Sequence, residues 1–336
     1  MTKLHLINRA VLPLQADLQI AGAHCALATN SPQILAATSR WHSSPRPRTN
    51  RTFDLELLLD PSLPNERDVK SQTHFRGMHH LVFATIGSHE VFTFDLARRR
   101  VVGAVYQASA SDPDFWNSHW LPITIGVMGT TVGVTPLHSA CLDHDGNALL
   151  LAGNSGAGKS TLSVALARAG SSLISDDWTY ISTTAPDPLD PGSAKDNITA
   201  HGLHASVKLL PDAVRHFPEL TTRTPKMWFN GELAFELQQD EICPNPAKPT
   251  TRSHPRWILF LERTTQPGCD FSPISAAEAR NFFESSAERL PTQLPAATAT
   301  RSATIAAIAD CPAWRVRSGE TPQATAQAIH QFCERN

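Results

Sequence analysis

Ala148-Leu149-Leu150-Leu151-Ala152-Gly153-Asn154-Ser155-Gly156-Ala157-Gly158-Lys159-Ser160-Thr161-Leu162 is the stretch on which the reading of this chain turns. The apolar run Ala148–Leu151, ending at Gly153, predicts a short buried strand. Past the loop, Leu162, Ala165, Leu166 and Ala169 recur at helical spacing, and Gly170 predicts the stop of that helix. Between strand and helix the spacing Gly-x-x-x-x-Gly-Lys-Ser is met by Gly153, Gly158, Lys159 and Ser160. Glycines reach backbone dihedrals that other residues avoid, so successive N–H groups can turn inward around a phosphate chain. The helix N-terminus adds free amides and its dipole. Lys159 then supplies a point charge for the β- and γ-phosphates, and the Ser160 hydroxyl a ligand for Mg²⁺. Gly153 through Thr161 is therefore read as a Walker A cradle for a nucleoside triphosphate.

The next strand, Ser172-Leu173-Ile174, runs into Ser175-Asp176-Asp177. A carboxylate at the C-terminal end of a strand beside such a loop suits Mg²⁺, and a second can take the proton of a phosphoryl acceptor. Aspartate also favours caps and turns, so spacing alone leaves both readings open. Upstream, His138 stands in Thr135-Pro-Leu-His-Ser-Ala-Cys-Leu. Taken alone it reads as a packed histidine more readily than as a catalytic one.

From His138 to Asp177 the chain resembles the catalytic domain of the HPr kinase/phosphorylase family. That family carries a histidine on the strand before the phosphate-loop strand, then the loop, a helix ending near Gly and an Ala/Ser-Asp-Asp turn. His138, Gly153–Ser160, Gly170 and Ser175-Asp176-Asp177 stand at those places. The resemblance implies an α/β fold of the HPr kinase and phosphoenolpyruvate-carboxykinase type, with the P-loop on a mixed, strongly curved sheet. It implies ATP and Mg²⁺, with the γ-phosphate passing to a hydroxyl, foremost a serine of a protein or peptide. Asp176 would be the general base, Asp177 would assist Ser160 at the metal, and His138 would sit close to the γ-phosphate and Asp176. Lys159 would complete the catalytic set. Members form ring-like homo-oligomers, for which this sequence carries no interface signal of its own.

Three departures qualify the resemblance. The family's Glu-x-x-Gly-x-Gly signature gives way to Thr199-Ala-His-Gly-Leu-His-Ala-Ser-Val-Lys208-Leu, a run with no acidic residue, and Glu232 or Glu236 are the candidates to supply one. Thr161 replaces the acidic residue usual after the P-loop serine, and the N-terminal half is unlike the family's regulatory domain. HPr itself is thus not the expected acceptor. A small-molecule or natural-product-tailoring kinase and a non-catalytic nucleotide-binding regulator stay open as alternatives. Lys208 is a candidate phosphate or substrate contact, and Lys226 a weaker one against the default of a surface lysine.

Bulk properties set the outer bounds. With 336 residues, 41% hydrophobic and 18% charged, the chain can bury a sizeable core in two domains. A formal charge of −2 leaves no basic excess for a nucleic-acid backbone. No apolar stretch is long enough for a membrane span, so a cytoplasmic protein is expected. Six dispersed cysteines without a C-x-x-C pair argue against a structural zinc site or a disulfide framework. Residues 1–120 read as a smaller β-rich domain, with strands at Phe53–Leu59, His80–Ile86, Val91–Phe94 and Val101–Tyr106 and a solvated turn at Arg98-Arg99-Arg100. Residues 121–336 read as the P-loop domain, with a strand at Trp257–Leu261 and helices at Ala276–Phe283 and Pro322–Phe332. Ser43–Arg48, Asp60–Arg67, Pro186–Ser193 and Pro244–Pro255 read as connectors.

Overall fold

Alternating burial builds the first sheet of the computed structural model, which describes residues 12–45, 52–63, 73–87, 89–183, 198–203, 206–228, 231–242, 250–287 and 294–336. The connector expected over Pro186–Ser193 lies outside those residues, as do parts of the other three. The chain divides into two units, the first comprising Met1–Val134 with Phe229–Gly231 and Glu288–Arg301. Its strands are β1 (Leu14–Ile20), β2 (Ala23–Thr29), β3 (Thr52–Leu59), β4 (Thr73–Met78), β5 (Leu81–Ile86), β6 (Glu90–Asp95) and β7 (Arg100–Val105). They form one sheet in the order β1-β2-β3-β7-β6-β5-β4. Val82, Ala84 and Ile86 alternate inward on β5, as Phe53, Leu55 and Leu57 do on β3. The arginine turn is spent on internal pairs: Arg98 meets Asp95, and Arg100 meets the buried Glu56. Short helical segments follow from Gln107 to Val132, burying Phe115, Trp116, Trp120, Leu121, Ile125 and Met128. Phe92 of β6 stacks on Trp120 at 3.5 Å, so this apolar helical stretch belongs to the first unit and the division falls at Val134.

The second unit carries β8 (Val134–His138), β9 (Ala140–His144), β10 (Asn147–Ala152), β11 (Ser172–Ser175), β12 (Trp178–Thr183) and β13 (Ile198–His201). It continues with β14 (Ser206–Leu209), β15 (Lys226–Met227), β16 (Leu233–Gln238), β17 (Arg252–Arg263), β18 (Cys269–Pro273) and β19 (Ala313–Ser318). The main sheet runs β11-β9-β10-β17-β13-β12-β8, with β19 also on β17 and β18 on β19. β10 and β19 lie parallel to β17, whereas β9, β11, β13 and β18 pair antiparallel, so the sheet is mixed. Side chains of β10 split between its faces. Leu149 and Leu151 pack with Leu162, Leu166 and Ile329 of the helices Lys159–Arg168 and Pro322–Arg335. Ala148, Leu150 and Ala152 pack with Phe283, Ile305 and Ile308 on the other face. A second small sheet has the order β14-β16-β15.

One feature of this order forces curvature. β9 and β11 lie at one end of the sheet and β8 and β12 at the other. Yet Ser139 alone separates β8 from β9, and Asp176-Asp177 alone separate β11 from β12. Neighbouring strands are about 4.8 Å apart, so a flat sheet would put β8 and β9 roughly 24 Å from each other. A one-residue link spans about 7 Å at most. The sheet must therefore curl until its two ends meet.

β17 corrects the expected connector over Pro244–Pro255, because the strand already runs from Arg252 through Pro255. Pro255 cannot donate to a ladder, and it sits opposite Ala148 where the register with β10 shifts, the place a strand proline is tolerated. Among the described residues no helix is long and apolar enough to cross a membrane.

Gly202, just past β13, is held where the curled sheet closes: a Cβ there would lie 1.7 Å from the Ile174 carbonyl oxygen of β11. Backbone cannot retreat as a side-chain tip can, so Gly202→Ala should destabilise the chain by about 3 kcal/mol, the upper end of the usual cost of overpacking. Chemical denaturation of the two proteins checks this, and an unchanged midpoint would contradict the close approach.

Candidate functional site

The loop after β10 is shaped by its glycines. Gly158 has φ +94°, a left-handed conformation, and it directly precedes the helix Lys159–Arg168. That helix aims its first turn, Lys159-Ser160-Thr161, into the loop. The Lys159 side chain is buried, and its Nζ donates to the Gly153 carbonyl at 2.9 Å. Burial lowers the Lys159 ammonium from its ordinary range, against the opposing charges of Asp177 and Asp176. Those charges place both aspartates within electrostatic reach of the loop.

The curl of the sheet is what delivers them. Asp176 and Asp177 form the β11–β12 link, and His138 ends β8 at the β8–β9 link, so closing the sheet brings both links together. His138 Nε2 stands 3.0 Å from Asp177 Oδ1, with its ring tilted against Trp178 at 5.5 Å. A buried chain of hydroxyls ties the same two links: Ser175 Oγ meets Thr179 Oγ1 at 2.7 Å, and Thr179 Oγ1 donates to the Ser139 carbonyl at 2.7 Å. Thus the residues flanking the aspartate pair are locked to the residue after His138.

The two adjacent carboxylates live in opposite environments. Asp176 is buried, and burial pushes its carboxyl up to about 7, with the Asp177 charge adding to the rise. The backbone N–H of Lys208, which donates to Asp176 Oδ2 at 3.1 Å, opposes that rise, as do the Ser160 side chain and the Lys208 charge. Asp176 Oδ1 is buried with no hydrogen-bond partner among the described residues. Asp177 is 64% exposed. Its partial burial acts upward, but the hydrogen bond from His138 and the charges of His138, Lys159 and Lys208 hold it below the usual carboxylate range.

Lys208, on β14, brings a second ammonium to the group. Its Nζ sits over the Trp228 ring at 3.8 Å, a cation–π contact, and its ladder partner on β16 is Glu236. Burial lowers Lys208, against the charges of Asp177, Glu236, Asp176 and Glu232. The acidic residues absent from Thr199–Leu209 are therefore found across the small sheet, acting on Lys208. His201 is instead buried on β13 with Nε2 3.0 Å from Ser182 Oγ, and Lys226 is exposed on β15.

The structure thus gathers His138, Lys159, Ser160, Asp176, Asp177 and Lys208 around one loop. It also shows partners that sequence reading did not single out. Thr179 had a signal, a hydroxyl two residues beyond the aspartate pair, but its bond to Ser139 follows only from sheet closure. Trp228 had none beyond its aromatic neighbourhood. Arg263, whose guanidinium packs over Gly158, lies far along the chain on β17.

No protein-family model matches the chain. No curated protein matches it either. Among solved structures it is similar to the HPr(Ser) kinase/phosphatase from Coxiella burnetii, at 10% identity and a TM-score of 0.31, over 60% of this chain and 95% of that one. A likeness of that level assigns neither family nor function.

Asp176 has a stability signature. A carboxyl held near 7 in the fold, against about 3.8 ordinarily, binds its proton more tightly folded than unfolded. Its contribution is then fully present below the ordinary value and is lost as pH rises through about 7. Asp176→Asn, which stays neutral, should match the parent near pH 4 and exceed it at pH 8 by up to about 4 kcal/mol. Denaturant midpoints across that range measure the difference, and parallel pH profiles would sink the assignment.

Proposed function

We propose that the chain is an ATP-dependent, Mg²⁺-requiring kinase that transfers the γ-phosphate to a hydroxyl, foremost a serine of a protein or peptide. The observation that carries this reading is Asp176: a buried carboxylate poised near neutral pH, with one oxygen unpartnered, beside the loop lysine and serine. A base works best when its pKa lies near the working pH and a lone pair is free to receive the proton. Two anions side by side with different environments also divide acid–base work from charge work.

In this reading the loop amides and Lys159 hold the triphosphate. Asp176 takes the proton of the acceptor hydroxyl as the new oxygen–phosphorus bond forms and the bond to the β-phosphate oxygen breaks, leaving ADP. Lys159 and Lys208 neutralise the charge spread over the transferring group. His138 keeps Asp177 oriented and ionised through the 3.0 Å contact. The donor set fits a hard divalent cation, since the Ser160 hydroxyl and the Asp177 carboxylate offer oxygen ligands next to the loop. Mg²⁺ bound there would neutralise charge on the β- and γ-phosphates.

Lys159→Ala should lower kcat/KM by about a thousandfold, because it removes a preorganised charge. Asp176→Asn should leave ATP affinity near that of the parent and lower kcat by about 10²- to 10⁴-fold. Incubation with γ-labelled ATP and cell lysate, followed by separation of protein from small-molecule fractions, reads both effects and the acceptor class. Undiminished transfer in Lys159→Ala would refute the reading.

A further inference from the structure

The aspartate pair fixes the end of the loop at which a phosphoryl group would leave, so the rest of a bound nucleotide must exit by another side. Such an exit exists. A cleft of about 340 Å³ borders the loop, lined by Ala157, Gly158, Thr161, His216, Arg263 and Pro322 among others. That volume sits at the small end of the roughly 300–1,000 Å³ typical of small-molecule sites. Thr161 belongs to the first turn of the P-loop helix, so the cleft is continuous with the loop amides.

Three observations say what it takes. First, the guanidinium of Arg263 occupies the space a side chain at Gly158 would need: a Cβ there would lie 2.8 Å from Nη2 and 3.2 Å from Nε. A cation is thus laid on the loop at Gly158, while Lys159 Nζ turns to Gly153. Second, the acids of the cleft are engaged elsewhere. Glu262 pairs with Arg315 and Arg317, and Glu320 accepts from the Gly268 N–H. Among the described residues Arg263 forms no ion pair. Third, His216 offers a flat, polar wall. Its Nε2 accepts from Arg215 Nε at 3.0 Å, and burial together with the charges of Arg215 and Arg263 lowers it from the ordinary imidazole range, so the ring is neutral at physiological pH. A fixed guanidinium next to loop amides suits phosphate oxygens, and a neutral ring further out suits a sugar or base.

We propose that this cleft seats the nucleoside half of the nucleotide, with Arg263 binding the α- and β-phosphates from the cleft side. The assignment rests on the reading of the loop as a triphosphate site. It makes Arg263 a phosphate-binding residue and His216 part of the wall that distinguishes a nucleotide from a bare polyphosphate.

Calorimetric titration of the full chain with Mg-ATP and with Mg-tripolyphosphate tests it. The wild-type chain should bind ATP more tightly than tripolyphosphate. Arg263→Gln, at an exposed position, should weaken both ligands by roughly tenfold, the loss of one charge-assisted contact. His216→Trp, which fills the cleft, should weaken ATP by roughly tenfold or more and leave tripolyphosphate unchanged. Arg263→Lys should recover part of the affinity lost in Arg263→Gln. Unaltered melting temperatures confirm that the variants are folded. If Lys159→Ala abolishes ATP binding while both cleft variants keep wild-type affinity, the loop reading stands and the cleft assignment falls. If the wild-type chain binds no ATP, both fall together.

Discussion

Two links, one residue and two residues long, hold the ends of the second unit's sheet together, and the candidate site depends on that closure. Ser139 joins β8 to β9 and Asp176-Asp177 join β11 to β12 across a sheet whose order places those strands at opposite ends. Strand spacing near 4.8 Å leaves curling as the solution. Curling brings His138 to Asp177 at 3.0 Å and lets Thr179 bridge from Ser175 to Ser139. Catalytic geometry needs side chains fixed by rigid elements rather than by floppy loops, and short links between paired strands provide that.

Closure also sets the electrostatics. The inner residue of the link, Asp176, loses its water and keeps its proton up to about pH 7. The outer one, Asp177, remains exposed beside His138 and two lysines and stays ionised. Identical functional groups in consecutive positions thus acquire different chemistry from a difference in burial. The same burial lowers both Lys159 and Lys208, so the lysines and Asp176 are drawn toward each other on the pH scale. Such convergence of perturbed groups in one place is the electrostatic pattern on which the proposed acid–base role of Asp176 rests.

The strand, the glycine loop and the helix after it were legible in the sequence because their logic is local: an apolar run, glycines at set spacing and a helical period all lie within one short stretch. His138 and the aspartate pair were legible as residues, and a resemblance supplied the expectation that they meet. What could not be read was long-range. The hydroxyl bridge from Thr179 to Ser139 spans forty positions and has no period or motif to announce it. Pro255 inside β17 contradicted local propensity, because pairing with β10 at a register shift outweighed it. The apolar residues Trp116, Trp120, Leu121 and Ile125 carry no period that tells which core they fill, and in the fold they are buried in the first unit. Arg263 lay unremarked on β17, since a single arginine after an apolar strand carries no signal until the loop's glycine is seen beneath it.

The segment Thr199–Leu209 brings a lysine and no acidic residue to the aspartate pair. Lys208 stands in that run, and two effects follow. The backbone N–H of Lys208 donates to Asp176, which steadies that carboxylate without adding a negative charge that would bind its proton more tightly. The ammonium, held on Trp228, adds a positive charge whose counter-charges, Glu236 and Glu232, come from around the small sheet. Lys159 and Lys208 thus face Glu232, Glu236, an ionised Asp177 and an Asp176 that is half protonated near neutrality. The Asp176 carboxyl would lose its proton more readily wherever positive charge, rather than apolar surroundings, dominated its field.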